Sequence, residues 1–493
     1  MENSSSNTKQ AFWIALGSLF TFSFGIVSSV ILSRYLSKSD YGTYKQVFYI
    51  YSTFLTVFTL GLPKAYSYFL PRTEISQAKS LIKKITNLFF LMGGIFSILI
   101  FFSADKISIF FHNPDLSLAL KIFSPVPFLM LPTMGLEGIL ATYKMTRIMA
   151  IYTVITKFIM LCLVTAPVIL FDGNYIQAII GIVVASFFSF ILALFFKYYP
   201  IKNKGKQKCE TSYQEIFQFS LPLLYASLWG ILISSSDQFF ISRYFGTEVF
   251  AEFSNGSLEL PFVGMIVGAT SVVLGPVFSR MSHENMDPKK DIFPIWKSVF
   301  EKSVLLIYPL LLYTWFFADI LIVFLYGKQY ENSAIYFQIK SIINFFSIII
   351  YAPLLINTGK VKYYSNVHFF IAILVITLEY ISIKTINSPY AISLISLFCQ
   401  LLKTFLLLYA VIKLFNVKFH QLFPINLIIK IVIPSILFLS LDYYFLVIFL
   451  NLDNISILII GLISYIIFYI TYAKIARLDY FLIIKPLLIK FKF

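Results

Sequence analysis

Residues 11–33 read AFWIALGSLFTFSFGIVSSVILS and contain no charged side chain. At ~1.5 Å of rise per residue, a helix of about 20 apolar residues crosses the ~30 Å hydrocarbon core of a bilayer. The run is too long for a cleaved signal peptide and has no clear small-residue cleavage site. It is therefore predicted to be a retained first membrane span.

Comparable apolar runs recur along the whole chain. Hydrophobic residues make up 59% of the sequence and charged residues 13%, whereas soluble domains carry about 25% charged residues. The sequence predicts an all-α polytopic membrane protein with about fourteen transmembrane helices. The predicted spans are 11–33, 44–63, 85–103, 118–140, 150–171, 175–197, 216–240, 249–279, 301–318, 333–356, 365–384, 389–413, 424–447 and 454–473.

Positive charge is distributed unevenly between these runs. Most of the 39 Lys and Arg residues fall in alternate loops, which are predicted to be cytoplasmic because Lys and Arg in short loops set topology. This asymmetry places both termini in the cytoplasm. It also accounts for most of the net charge of +16, so that charge does not indicate nucleic-acid binding. Three cysteines form neither a disulfide framework nor a metal-ligand spacing.

One motif occurs twice. Residues 33–44 read SRYLSKSDYGTY after the first span, and residues 242–253 read SRYFGTEVFAEF after the seventh. The two segments align without a gap, which predicts two parallel six-helix halves around a midplane cavity. The predicted segments are 1–200, 201–420, and 421–493 with two extra spans and a basic cytoplasmic tail. Chance similarity between aromatic-rich membrane segments is the alternative.

The chain resembles the Wzx-like polysaccharide transporters, which belong to the multidrug/oligosaccharidyl-lipid/polysaccharide exporter superfamily. The resemblance covers most of the chain and depends on a set of short motifs. These are LSRYL at 32–36, DYGTY at 40–44, GL at 61–62, LP at 221–222, DQFFI at 237–241 and YFG at 244–246.

The resemblance implies a flippase rather than an enzyme. Such a protein moves undecaprenyl-pyrophosphate-linked oligosaccharide units across the bacterial cytoplasmic (inner) membrane by alternating access, for O-antigen, capsule or exopolysaccharide assembly. The implied partners are this substrate, membrane lipids and the polysaccharide polymerase machinery, with no cofactor beyond a coupling H⁺ or Na⁺. Related peptidoglycan-precursor flippases tend to carry charges in the first span, and the absence of charge from 11–33 argues against that branch.

Two other classes of function are weighed against the flippase. A cation-coupled exporter of small amphipathic compounds would use the same architecture, with Glu259 as its coupling site. A membrane glycosyltransferase or ligase would need a sizeable outer loop, a cytoplasmic domain or a nucleotide-binding motif, and the sequence has none of these. The exporter is therefore the main alternative.

Two lysines inside spans are the predicted substrate-binding cations. An ionisable residue deep in a span is costly unless it faces protein or water. Lys403 lies near the middle of the twelfth span, and Lys157 lies about two turns into the fifth. Each would meet the lipid pyrophosphate in the cavity. A buried ion pair is the alternative for Lys403, and snorkelling to the cytoplasmic surface is the alternative for Lys157.

Carboxylates supply the candidate coupling and gating residues. Glu252, Asn255 and Glu259 stand at i, i+3 and i+7 and are predicted to share one helical face, where they would bind a coupling H⁺ or Na⁺. The helix is predicted to bend or break near Pro261. The alternative is that Glu252 lies outside the bilayer and Glu259 pairs with a lysine.

The remaining candidates lie at the two ends of the spans. Asp237 is predicted to pair with Arg34 or Arg243 and so to latch the outer side, or to form a plain structural pair. At the inner mouth, cations are predicted to gather the anionic headgroup, unless they serve only as topology determinants. These are Lys64, Arg72, Lys144, Arg147 and Arg280.

Overall fold

The computed structural model describes residues 2–202, 207–284, 286–450, 452–478 and Tyr480. Every regular element in those residues is helical. Thirteen helical segments within them are long and apolar enough to cross a membrane, and each overlaps one of the predicted spans. The prediction of an all-α, multi-pass membrane protein of about fourteen helices is thereby confirmed.

Contacts divide the chain into two compact units, Met1–Ala251 and Glu252–Phe493. The division into segments 1–200, 201–420 and 421–493 stays a prediction. The helices of the first unit are α1 (Glu2–Tyr35), α2 (Lys38–Thr59), α3 (Pro63–Phe69), α4 (Ala78–Phe111), α5 (Asp115–Phe123), α6 (Pro125–Met130), α7 (Leu136–Thr142), α8 (Thr146–Leu170), α9 (Tyr175–Tyr198) and α10 (Tyr213–Tyr244).

Helix α11 (Gly246–Gly256) begins in the first unit and ends in the second. The remaining helices belong to the second unit. They are α12 (Pro261–His283), α13 (Phe293–Phe316), α14 (Ala318–Tyr326), α15 (Ser333–Ser341), α16 (Asn344–Ser347), α17 (Ala352–Asn357), α18 (Val361–Thr385), α19 (Pro389–Phe415), α20 (Phe419–Leu422), α21 (Ile425–Tyr443) and α22 (Asn454–Ile475). Residues 444–449 extend α21 as a π-helical turn.

Neighbouring spans pack pairwise within each unit. In the first unit α8 packs along both α1 and α9, and α2 packs against α10. Leu136 and Leu140 of α7 join Tyr152 of α8 and Ala193 of α9 in one buried cluster. In the second unit α18 packs along α19, α13 along α21, and α14 along α22. The two C-terminal spans are therefore integral to the second unit.

The eighth predicted span, 249–279, is broken in two. Helix α11 ends at Gly256, residues 257–260 are not helical, and α12 starts with Pro261 at its first position. Proline has no amide hydrogen to donate to the preceding turn, so it starts a helix more readily than it continues one. Glu259 lies in the unwound segment and is exposed. The prediction that Glu252, Asn255 and Glu259 share one helical face is therefore wrong.

Helices α2 and α11 approach each other closely at Gly42. A Cβ atom built on Gly42 would lie 2.1 Å from the carbonyl oxygen of Thr247. The Ser39 and Thr247 hydroxyls lie 3.3 Å apart beside this crossing. Small residues allow such close backbone packing between membrane helices. The first copy of the repeated motif thus supplies the glycine that the start of α11 packs against.

We expect Gly42→Val to lower the thermal unfolding midpoint of the detergent-solubilised protein by several degrees, because the new side chain overlaps a backbone carbonyl. Gly25→Val is the matched control, since a Cβ on Gly25 of α1 meets no atom within 4 Å. The midpoint is measured by the loss of the monodisperse peak on size-exclusion chromatography after heating. Equal midpoints for the two variants would contradict the close approach.

Candidate functional site

A cavity of about 500 Å³ lies within the first unit. Two charged side chains, Lys157 and Glu137, lie on its wall. The wall also carries the aromatic rings of Trp13, Phe22, Phe48, Tyr51, Phe123 and Tyr152, and the hydroxyls of Ser18, Thr21, Thr133, Thr153, Thr156, Ser186 and Ser189. This combination of aromatic faces with a few polar groups is typical of a site for a polar organic ligand.

Helical periodicity explains which side chains face the cavity. Residues 149, 153, 156, 157 and 160 of α8 all line it, and they follow the i, i+4, i+7, i+8 spacing of one helical face. Ser186 and Ser189 of α9 line the facing side. Lys157 therefore points into the cavity because of its position on α8.

Lys157 is half-buried in the cavity wall. Within the described part of the chain, its ammonium group has neither a hydrogen bond nor a carboxylate within 4.0 Å. An ammonium group held away from bulk water without a counter-ion attracts anions strongly. The cavity is thus suited to an anionic group near Lys157, while its role in substrate binding stays a prediction.

Lys403 lies in the second unit, on α19. It is half-buried and interacts electrostatically with His368 of α18. The His368 ring packs on Tyr364, with 4.2 Å between the ring centroids, and its Nδ1 lies 2.8 Å from the Tyr364 carbonyl oxygen. The cavity of the first unit therefore contains one of the two predicted cavity cations. The function of Lys403 stays a prediction.

The predicted inner-mouth cations are all exposed. Four of them lie in the first unit, namely Lys64, Arg72, Lys144 and Arg147. The Arg147 guanidinium lies 5.5 Å from the centroid of the Trp13 ring, which lines the cavity. Arg147 is thus the predicted inner-mouth cation that the structure places beside the cavity.

Arg72 and Arg280 make local contacts. Arg72 packs on the Tyr68 ring, with 3.9 Å between the guanidinium carbon and the ring centroid. Arg280, in the second unit, lies 3.9 Å from Glu284, one turn along the chain. Headgroup recruitment by the inner-mouth cations stays a prediction.

Buried polar side chains join α2 and α10 to the loop between α4 and α5 in the first unit. The Asn113 side-chain amide donates to Gln46 Oε1 (2.7 Å) and to Thr43 Oγ1 (2.9 Å), and Gln46 Nε2 donates to Ser242 Oγ (2.9 Å). Thr43 and Ser242 come from the two copies of the repeated motif. Gln46 and Asn113 were not predicted as site residues, because single amides near span ends carry no distinctive pattern.

Among the predicted latch residues, Arg243 contacts the ring nitrogens of His112 and packs over Phe110, with 4.9 Å to the ring centroid. Asp237 is buried, and its Oδ1 accepts a hydrogen bond from the main-chain N–H of Gln238 at 2.8 Å. The latch roles of Asp237, Arg34 and Arg243 stay predictions.

Of the candidate coupling residues, Glu252 and Asn255 are buried on α11. Glu252 Oε1 accepts a hydrogen bond from Asn332 Nδ2 at 3.3 Å. Asn332 lies just before α15, so this contact lies within the second unit. The coupling role of both residues stays a prediction.

Lys197, the last residue of the predicted span 175–197, is a buried charged residue. It lies in the last turn of α9, and its side chain is 0% exposed. Its ammonium donates to Tyr66 Oη at 3.1 Å and lies 3.5 Å from Thr86 Oγ1 and 5.5 Å from the centroid of the Phe89 ring. Within the described residues no carboxylate lies within 4.0 Å of it.

A pattern in the sequence does point to this burial. Ser186, Ser189, Ala193 and Lys197 are spaced as one helical face of α9, and all four are buried. A stripe of small residues marks the side of a membrane helix that packs closely against its neighbours. A lysine at the end of this stripe is therefore directed into the protein rather than toward the lipid surface.

The chain matches the family model described as "Polysaccharide biosynthesis protein" over residues 8–282. No curated protein has significant sequence similarity to it. Its fold is similar to that of a structure of the lipid II flippase MurJ in an inward closed conformation, with a TM-score of 0.69 at 16% identity, covering 94% of this chain and 98% of that one.

Two transporter structures also share the fold. An inward-facing multidrug resistance MATE family transporter of the MOP superfamily gives a TM-score of 0.61 at 13% identity, covering 81% of this chain and 98% of that one. The Vibrio cholerae MATE transporter VcmN in its bent form gives 0.56 at 15% identity, covering 84% and 98%. At these identities the likeness shows a common fold.

We expect Tyr66→Phe to destabilise the protein by about 1–3 kcal/mol, because it leaves the buried Lys197 ammonium without its nearest acceptor. Lys197→Met removes the buried charge and is expected to be neutral or stabilising. In the Lys197→Met background, Tyr66→Phe should have a clearly smaller effect. Thermal unfolding midpoints of the four proteins test this coupling. If Tyr66→Phe has the same effect in both backgrounds, the two side chains do not interact.

Proposed function

Since the chain belongs to the polysaccharide biosynthesis protein family, we propose that it flips undecaprenyl-pyrophosphate-linked oligosaccharide units across the bacterial cytoplasmic membrane. The units would serve O-antigen, capsule or exopolysaccharide assembly. The observation that carries the proposal is the cavity of the first unit, where Lys157 faces aromatic rings and hydroxyls without a described carboxylate partner.

Each part of such a substrate has matching chemistry in the cavity. The ammonium of Lys157 pairs with a pyrophosphate oxygen, and charge-assisted hydrogen bonds of this kind are the strong ones. Hydroxyls such as those of Thr153 and Ser186 exchange hydrogen bonds with sugar hydroxyls. Aromatic rings such as that of Trp13 pack against the apolar faces of sugar rings. The polyprenyl chain remains in the lipid, because its transfer into a polar cavity would be costly.

Access to the cavity alternates between the two membrane faces in this proposal. Arg147, beside Trp13, receives the pyrophosphate at the inner mouth together with Lys64, Arg72, Lys144 and Arg280. Lys403 is the second proposed substrate-binding cation. Binding of H⁺ or Na⁺ at Glu252 and Asn255 shifts the equilibrium between the inward-open and outward-open conformations. Contacts at the outer side, made by Asp237, Arg34 and Arg243, shift the same equilibrium. Polysaccharide polymerase machinery takes up the product.

A second candidate function is a cation-coupled exporter of small amphipathic compounds. The observation that favours it is Glu137, whose carboxylate lines the same cavity as Lys157. A carboxylate in the cavity is a binding group for an organic cation or a coupling proton. Glu259, the coupling residue first considered for this exporter, is exposed in the unwound segment between α11 and α12.

We expect cells lacking this gene to accumulate lipid-linked glycan on the cytoplasmic face of the membrane. An impermeant lectin, applied to right-side-out and inverted vesicles, measures the distribution between leaflets. Restoring the gene should return the glycan to the outer leaflet. Normal outward transfer without the gene, accompanied by loss of dye efflux, would favour the exporter instead.

We expect Lys157→Gln to reduce outward transfer by about tenfold or more, because a hydrogen bond to a charged group contributes about 1.5–3 kcal/mol. Lys157→Arg keeps the charge and should retain most of the transfer. Lys106→Gln is the matched control, since Lys106 is exposed on α4 of the same unit and does not line the cavity. Immunoblotting verifies equal protein levels. Unchanged transfer in Lys157→Gln would contradict the assignment of the cavity as the substrate site.

A further inference from the structure

A second, open cavity of about 410 Å³ lies in the second unit. Its wall combines three aromatic rings with three polar side chains. These are Trp315, Phe316, Asp319, Gln338, Ser440 and Tyr443. They come from the C-terminal ends of α13 and α21, the start of α14, and α15. In the topology predicted from the positive charges, the ends of the ninth and thirteenth spans face the outer side of the membrane.

Hydrogen bonds between helices hold the wall in place. Trp315 Nε1 donates to the main-chain carbonyl oxygen of Gln338 at 3.2 Å, and Gln338 Nε2 donates to the main-chain carbonyl oxygen of Trp315 at 3.3 Å. Tyr443 Oη donates to Asp319 Oδ2 at 2.6 Å and so connects α21 to α14. The indole ring and the carboxylate are therefore fixed without a ligand, and such preorganisation lowers the entropy cost of binding.

The Asp319 carboxylate can accept further hydrogen bonds. One carboxylate oxygen accepts from Tyr443, and the residue is exposed toward the cavity. A carboxylate has about four lone-pair sites, so several remain for a ligand. Within the described residues Asp319 has no cationic partner within 4.0 Å, and no group of three or more metal-ligating side chains occurs. The carboxylate is thus available to neutral donors.

The chemistry of the wall fits a hydroxylated sugar ring. A sugar presents hydroxyl donors to Asp319 and Gln338, and it presents an apolar C–H face to the rings of Trp315 and Phe316. The carboxylate repels acidic sugars. Gln338 Nε2 and the Ser440 hydroxyl already donate to main-chain carbonyl oxygens, so the Gln338 side-chain oxygen is a further acceptor for a ligand. A sugar would use this acceptor together with Asp319, whereas an organic cation without N–H or O–H groups would use only the aromatic rings and Asp319.

We propose that this cavity is a glycan-binding subsite that takes a neutral sugar of the headgroup at the outer side of the membrane. The proposal rests on the proposed function, which brings the glycan to that side. A sugar bound there holds the headgroup at the outer side after translocation. This contact involves no phosphate.

The test uses full-length protein in lipid nanodiscs and the oligosaccharide released by mild acid from the lipid-linked glycans of the same cells, labelled with a fluorophore at its reducing end. Binding is measured by fluorescence anisotropy in the Lys157→Gln background. The first cavity is identical in the proteins compared there, so a loss of binding caused by substitution of Asp319 reports on the second cavity. We expect saturable binding that Asp319→Asn weakens by about tenfold. An asparagine oxygen still accepts the Tyr443 hydrogen bond, so this variant should fold.

The control is Asp172→Asn, an exposed acidic position in the first unit whose φ of 48° asparagine also adopts. In the Lys157→Gln background, this variant should bind the labelled oligosaccharide as tightly as the Lys157→Gln parent does. Equal affinity of Asp319→Asn and Asp172→Asn would overturn the proposal, as would absence of binding by the parent. Asp319-dependent binding of tetraphenylphosphonium without glycan binding would identify an organic-cation site instead. The lectin assay reports on flipping separately, so failure of the subsite and failure of the proposed function are distinguishable.

Discussion

In the hydrocarbon core of a bilayer no water is available to bond polar groups, so each buried donor or acceptor must find its partner inside the protein. This constraint organises the polar side chains of the chain. The amides of Gln46 and Asn113 satisfy each other and two hydroxyls where several spans meet. Lys197 meets the hydroxyls of Tyr66 and Thr86. These hydrogen bonds join α2 to α10 and join α9 to α3 and α4.

The same constraint separates structural polar groups from functional ones. Lys197 is fully enclosed, and the protein itself supplies its partners. Lys157 faces an open cavity, and no described group of the protein bonds its ammonium. The first arrangement stabilises one packing of the helices. The second leaves a charge without a described partner, which is the arrangement that the proposed anionic substrate requires.

The sequence predicted the spans well because span length and charge asymmetry are strong, local signals. The prediction that Glu252 and Glu259 share a face was wrong, because the helix is interrupted before Pro261. The apolar run continues through this break, so hydropathy does not reveal it. Lys157 was found as a candidate because a lone charge in an apolar run stands out. The cavity containing Asp319 was not found, because its residues come from four helices and meet only through tertiary packing.

The placement of the indole rings has a spectroscopic consequence. The chain has four tryptophans, and two of them line cavities: Trp13 in the first unit and Trp315 in the second. Indole emission shifts with the polarity around the ring, and Trp296 is buried with its Nε1 donating to the Ile350 carbonyl oxygen at 2.7 Å. The protein thus carries its own fluorescent reporters of hydration, one in each cavity, with Trp296 as an internal reference.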